Sequence, residues 1–477
     1  MNVFNKFPRV FWVANVIELI ERWAWYGFFL LFANYLTGSS DMGGLEFSQT
    51  QKGLLMGVGT GILYFLPVLT GAIADRYGYK KVLFIAFMIY TSAFLLLPHF
   101  ETFTGVFLIF IYLAFGAALF KPVISATVAK ATTDETASIG FGIFYMMVNI
   151  GAFFGPMVSL LYGESTHMIF YTSAGMIALN FILLLFYVEP DSAKDKATSK
   201  DSLGKTFVEI FKNMGTIFKD VRFVCFLFIV AGFWTMYNQL FFTLPVFISQ
   251  WVDTQIIYDF FHNYIPFFSE NYSTSSGVMD AEFIANFDAL YIIAFQIIVS
   301  SVVMKMKPLK SMVSGFVVCS IGMSLTLFSQ NVLFTLVAIL IFALGEMAGS
   351  PKITEYIGRI APADKKALYM GYSFIPVFIG NVLAGIISGS VYQDFSDKVS
   401  ITKRFVADKG LTIDSTLSTN DYFNEVAKQV DMSPKEFTNF LWDTYNPSDL
   451  WIILLSIGLS SALLLYLYDR FLSKSDL

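Results

Sequence analysis

Apolar runs of about 20 residues, the length at which an α-helix crosses a bilayer core, recur along nearly the whole chain. No other feature narrows the possible folds as much. Twelve such runs lie at roughly 10–37, 52–74, 81–99, 103–129, 138–162, 168–188, 222–250, 283–304, 309–328, 331–358, 367–392 and 450–470. They predict an all-α polytopic membrane protein with 12 transmembrane helices. Composition agrees: 56% of the residues are hydrophobic and 14% are charged, against about 25% charged in soluble domains. The first apolar run is long, carries charges and has no small-residue cleavage site, so no cleavable signal peptide is expected.

Lys and Arg placement orients such a chain. Arg76, Lys80 and Lys81 follow the second run, Lys305, Lys307 and Lys310 follow the eighth, and the linker 189–222 carries seven basic residues. The connections 38–50 and 252–282 carry none. Both termini are therefore expected in the cytoplasm, the protein being integral to the cell (inner) membrane. The six basic residues of 393–449 fall on the outer side, where a long polar loop is translocated largely regardless of charge. Cys225 and Cys319 fall within spans and read as buried apolar residues.

The linker 190–221 is the clearest break in composition. Its second part, with Phe207, Ile210, Phe211 and Met214 on one face, predicts an amphipathic helix at the cytoplasmic surface. It separates an N-terminal six-helix bundle (1–189) from a C-terminal one (222–477). The insert 393–449 is expected to form a small helical cap. There Ser433-Pro434-Lys435-Glu436 is a capping box with proline at the first helical position, and a further amphipathic helix is expected at about 421–430. The cap reads as a packed lid or as a partner-binding module.

Within the first run stand Glu18, Glu21 and Arg22. An ionised group at the centre of a span costs about 2.5–3.5 kcal/mol on insertion scales, so such charges face a protein interior or a water-filled cavity. The i, i+3, i+4 spacing puts all three on one face, continued by Trp25, Tyr26 and Phe29. The set reads either as a structural ion pair or as a proton or substrate relay, and the relay is the reading adopted. Lys121, inside the fourth run, reads as a partner of that set or as a lysine snorkelling to the interface.

Several motifs carry a family resemblance. Gly71 to Lys81 (GAIADRYGYKK) resembles the GxxxDRxGxKK loop of major facilitator transporters, in which Asp75 and Arg76 would act in gating. Glu18 to Gly27 (ELIERWAWYG) resembles the ExxERFxYYG signature of proton-dependent oligopeptide transporters, and Phe144 to Gly151 (FYMMVNIG) resembles their FYxxINxG segment. Gly345 to Pro351, Ala361-Pro362, Met370-Gly371, Lys121-Pro122, and Tyr64 with Pro67 are similar to further segments of that family, in order along both halves. The resemblance implies two six-helix bundles around a midplane cavity exposed alternately to either side. It also implies proton coupling by Glu18, Glu21, Arg22 and Lys121, and a substrate pocket lined by Tyr26, Tyr64, Asn149 and Glu346.

Departures bear on cargo. The family has an arginine where this chain has Phe29, a seventh-helix glutamate where Asn238 follows Trp234, and an asparagine where Asp288 stands. Asp288 reads either as a pocket carboxylate or as a water-facing residue at a helix edge. The expected binding set is thus Tyr26, Tyr64, Lys121, Asn149, Trp234, Asn238, Asp288 and Glu346. The expected function is proton-coupled import of di- and tripeptides or peptide-like solutes; a different small organic solute on the same scaffold is the alternative. Beyond substrate, protons and bilayer no cofactor or metal is expected, function as a monomer is expected, and neither enzymatic nor nucleic-acid-binding features stand out.

Overall fold

A computed structural model describes residues 6–133, 136–161, 166–189, 219–274, 277–361 and 366–473, with isolated positions between 190 and 218. The amphipathic linker segment and Pro362 lie outside the described residues. The chain is helical throughout: α1 (Arg9–Thr37), α2 (Gln49–Phe65), α3 (Pro67–Tyr77), α4 (Tyr79–Leu96), α5 (Phe103–Lys130), α6 (Ala137–Leu160), α7 (Thr166–Phe186), α8 (Val221–Tyr237), α9 (Gln239–Phe242), α10 (Leu244–Trp251), α11 (Gln255–Tyr264) and α12 (Pro266–Asn271). Then follow α13 (Ala281–Ala285), α14 (Phe287–Val303), α15 (Pro308–Leu325), α16 (Val332–Ile360), α17 (Lys366–Tyr372), α18 (Phe374–Ile386), a π-helical turn (Ile387–Val391), α19 (Tyr392–Phe395), α20 (Lys398–Lys409), α21 (Thr419–Gln429), α22 (Pro434–Tyr445) and α23 (Leu450–Phe471).

Among the described residues ten helical stretches are long and apolar enough to cross a membrane, and the pair α2–α3, bent by 43°, is an eleventh. The helix α1, with 29 residues, is about 43 Å long, enough to span, but it carries the three charges. The twelve-span reading adds it to those eleven.

Proline sets the breaks. The α2–α3 bend falls at Leu66-Pro67, because proline cannot donate to the helical ladder. Inside α5, Pro122 cannot bond the Ala118 carbonyl, and Thr70 of α3 does so instead, Oγ1 to O at 2.5 Å. The run 222–250, expected as one continuous span, is divided into α8, α9 and α10, with Pro245 in the first turn of α10. Hydropathy misses this break because every piece is apolar. The connection 252–282 is likewise not a plain loop, since it folds into α11 and α12.

Taking α1–α7 as one group and α8–α23 as the other, α1–α6 and α4–α5 pack closely in the first, α15–α16 and α15–α23 in the second, and α2–α18 packs closely between them. Glycines let helix axes approach closely within each group: a Cβ on Gly151 would lie 2.6 Å from the Leu19 carbonyl in the α1–α6 pair, and one on Gly315 would lie 2.5 Å from Gly349 N in α15–α16. The same device joins the groups. In the seam of α2 with α18 and the π-helical turn after it, a Cβ on Gly53 would lie 2.6 Å from Gly389 Cα and 2.8 Å from Gly389 N.

The described hydrogen bonds between the groups gather toward one end, where α1 finishes and α2 begins. We call this the distal end. Lys52, fully buried, donates to the Phe242 carbonyl at 2.8 Å, Gln49 to Asp397 at 3.0 Å, Asn34 to Glu282 at 2.7 Å and, deeper, Thr60 to Asn381 at 2.9 Å.

The insert 393–449 sits over this end as α20, α21 and α22, one helix more than the sequence predicts. Phe405, Phe423, Phe437 and Phe440 form its small core, and the Ser433–Glu436 capping box is present. It grips the α1–α2 turn. Glu46, held at φ 51°, accepts from Ser40 N at 2.9 Å and Thr419 N at 2.8 Å.

Candidate functional site

The charged stripe of α1 faces protein. Glu21 is fully buried, and Glu18 and Arg22 are nearly so. Arg22 pairs with Glu21 (Nη2 to Oε2, 2.5 Å) and with Glu18 (Nε to Oε1, 3.3 Å). Tyr90 of α4 donates to the other Glu21 oxygen at 2.6 Å. Both Glu21 oxygens are thus satisfied, one by a guanidinium and one by a phenol, which is what a carboxylate out of water requires. Tyr90 carried no signal in the sequence as a partner of Glu21.

Lys121 of α5 is half-buried, its Nζ 4.0 Å from the centroid of the Tyr64 ring. An ammonium over an aromatic face is a favourable pair. Lys121 lies within electrostatic reach of Glu18, and Tyr64 within reach of both Lys121 and Arg22. Arg22 stands 5.9 Å from the Tyr26 ring centroid. The four expected coupling residues are therefore brought together, with tyrosines between them.

Beyond Tyr26 a chamber opens between the two groups of helices. Tyr26, Leu30, Asn149 and Ala152 line one side, and Tyr237, Phe241, Asp288 and Glu346 line the other. Tyr26 lies within electrostatic reach of both Arg22 and Glu346, so the ring stands between the two sets of charges. Asp288 is buried and lines the chamber, which excludes the water-facing alternative. Tyr237 donates to Glu346 at 2.8 Å. Asn149 lines the wall while its Nδ2 donates to the Tyr145 carbonyl at 2.8 Å.

Four expected binding residues lie off the chamber lining. Tyr64 and Lys121 face each other instead. The amide of Asn238 donates to the Trp234 carbonyl one turn back at 2.8 Å, and Trp234 packs its Cβ against Gly380 of α18. Tyr237 takes their place: one residue along an α-helix is a rotation of about 100°, so the neighbour of Asn238 faces the cavity. Phe29, at the position of the missing arginine, stacks on Trp25 at 5.0 Å and meets Phe241 and Phe242 at 5.7 and 6.1 Å.

Asp75 and Arg76, expected in a loop, lie in the last turn of α3: Asp75 Oδ1 accepts the Tyr79 hydroxyl at 3.0 Å, and Arg76 lies 5.9 Å from the Tyr77 ring centroid. Gly78 turns there at φ 92°, and the following backbone N–H of Lys80 donates to Glu189 at 2.7 Å.

Long apolar helices around a buried chamber are the fold of a membrane protein, and comparison with known proteins gives its class. The family model of the Major Facilitator Superfamily matches residues 12–252, and the chain belongs to that superfamily. Its resemblance to the proton-dependent oligopeptide transporters is borne out at the low identity of a divergent member. A peptide transporter of Yersinia enterocolitica is 25% identical over 470 residues, covering 80% of this chain and 87% of that one. A Na+, Li+, K+/H+ antiporter of Planococcus maritimus is 24% identical over 357 residues, covering 72% and 81%. A crystal structure of a transporter of the oligopeptide family in complex with a thioalcohol-conjugated peptide superposes with a TM-score of 0.71 at 16% identity, covering 99% of this chain and all of that one. At that identity the superposition speaks to the fold alone.

Proposed function

We propose that this chain is a proton-coupled symporter that imports small peptides or peptide-like solutes by alternating access. The helices before the linker would rock as one bundle against those after it, about a site near the bilayer midplane. The observation that carries the reading is the buried Glu18–Glu21–Arg22 cluster, separated by one tyrosine from an acid-lined chamber. A carboxylate that loses a cationic partner in a low-dielectric site takes up a proton, and one that regains the partner releases it. Rocking that exchanges the partners of Glu21, Arg22 and Lys121 would load a proton on one side and unload it on the other. Tyr26, Asn149, Asp288 and Glu346 would contact cargo, and Asp75 and Arg76 would belong to the gate at the opposite end. With both termini cytoplasmic in a cell (inner) membrane, the distal end, where the hydrogen bonds between the halves gather, would face outside. The protein would work as a monomer.

Purified protein in liposomes with an inward proton gradient is expected to accumulate di- or tripeptides and to show peptide-driven acidification of the lumen. Neither signal appearing would end the proposal.

A second reading keeps the scaffold and coupling but changes the cargo to another small organic solute. Phe29 favours it, since an apolar ring cannot replace a bidentate guanidinium clamp on a carboxylate, and so does Asn238, tied to its own helix. Competition of peptide uptake by other organic solutes separates the two.

A further inference from the structure

The chamber has an unbalanced wall. Asp288 and Glu346 enter it from α14 and α16 and lie within electrostatic reach of each other. They are 7% and 8% exposed. The Tyr237 hydroxyl satisfies one Glu346 oxygen, while Asp288 Oδ1 and Glu346 Oε2 are buried with no hydrogen-bond partner. Among the described residues no lysine or arginine lines the chamber. Arg22 is engaged by Glu18 and Glu21, and Lys121 stands over Tyr64. Two carboxyl groups without a facing cation are costly to keep out of water. Asp288 also sits in the first turn of α14, where the helix end favours negative charge. Either protons or a cation delivered with the cargo can neutralise such a pair.

The rest of the wall describes the remainder of that cargo. Tyr26, Tyr237 and Phe241 offer ring faces, and Leu30, Leu240 and Ile292 offer aliphatic surface. A bare metal ion is a poor match, because a hard cation seeks six or more oxygen ligands. An alkylammonium suits two carboxylates and flanking rings, making charge-assisted hydrogen bonds to the acids and cation–π contacts with the aromatics. Nothing on the lining offers a cation to a second carboxylate.

We propose that Asp288 and Glu346 together receive the ammonium group of an organic amine that carries an apolar or aromatic body and no free carboxylate. This rests on the transporter reading and sides with its second cargo, a small organic solute, since an unblocked di- or tripeptide carries a carboxylate. Asp288 is the specificity-determining member of the pair, since it adds the second carboxyl group.

Ligand-induced thermal shifts of the purified full chain in detergent test this with three related probes. Phenethylamine has the cation and the ring; phenylalanine adds a carboxylate; N-acetylphenethylamine removes the charge. Phenethylamine is expected to bind at least about tenfold more tightly than either of the others, and Asp288→Asn to weaken it by about tenfold, the loss of one charge-assisted contact. Equal or tighter binding of phenylalanine overturns the proposal, as does an unchanged affinity in Asp288→Asn. An Asp288-dependent shift given equally by sodium chloride also overturns it, by assigning the pair to an inorganic ion. Should Asp288→Asn fail to fold, the probe series on the unaltered protein decides alone. Proton-driven dipeptide uptake without amine binding would remove this inference and leave the proposed function standing; absence of both would remove the two together.

Discussion

The α2–α18 seam offers a perturbation whose size can be read from the structure. Gly53→Ala adds a Cβ that would lie 2.6 Å from Gly389 Cα and 2.8 Å from Gly389 N, and closer still to the Gly385 carbonyl oxygen. All three obstacles are backbone, so no rotamer change relieves them. Forcing an extra methyl into a packed contact costs about 1–3 kcal/mol. The collision lies between the two groups of helices, so parting them at the distal end removes it. The whole penalty then weighs against the closed arrangement and changes its population ratio by about 5- to 150-fold. Cross-linking reads this directly. Thr50 Oγ1 and Gln393 Oε1 are 3.0 Å apart across the seam, so a Thr50→Cys/Gln393→Cys pair is expected to link readily with Gly53 in place and poorly with Gly53→Ala. Gly175→Ala serves as a control, since its Cβ would meet nothing within 4 Å and alanine is the better helix former by up to about 1 kcal/mol. Undiminished cross-linking in Gly53→Ala would refute the claim that backbone contact at this seam holds the distal end shut.

Four other perturbations are informative. Glu21→Gln is expected to abolish gradient-driven accumulation while sparing part of the substrate exchange; unchanged accumulation would remove Glu21 from coupling. Tyr90→Phe leaves one Glu21 oxygen without its donor and is expected to destabilise the protein by about 1–3 kcal/mol, read as a lowered thermal midpoint with weaker accumulation. Lys121→Ala is expected to lose both coupling and affinity, and wild-type uptake in that variant would restore the snorkelling reading. Asp280, just ahead of α13, is pushed up to about 7 by burial and by the neighbouring charge of Glu282. Its protonated form is the one the fold favours, so that contribution is complete below about pH 4 and is lost as pH rises through about 7. Asp280→Asn should flatten this part of the thermal stability profile between those values.

How much of this was legible beforehand follows the physics of each signal. Hydropathy registers length and apolarity, so the spans stood out, and the charges of α1 stood out against them. Capping chemistry is local, which is why Ser433 to Glu436 fixed the start of α22 and the expected 421–430 helix appears as α21. Hydropathy is blind to a break between two apolar pieces, although Pro245 carried the signal for α10. Side-chain direction was the harder problem. Asp288 was placed by a family pattern and does line the chamber, yet on α8 the same reasoning picked Trp234 and Asn238, where the helix presents Tyr237. Partners far apart in sequence left no local trace: nothing near Tyr90 marks it for Glu21, and the buried Lys52 looked like an ordinary residue at the start of a span.

The grasp of Glu46 on Thr419 reaches beyond local order. The insert is anchored between α19 and α23 in one half of the molecule, and its grip falls on a turn belonging to the other. In the proposed rocking cycle a swing that parts the halves at that end would first unhook this clasp, so the insert would act as a latch carried on the moving door. An antibody fragment seated across the junction would arrest the cycle in a single posture, with the chamber accessible from one side only.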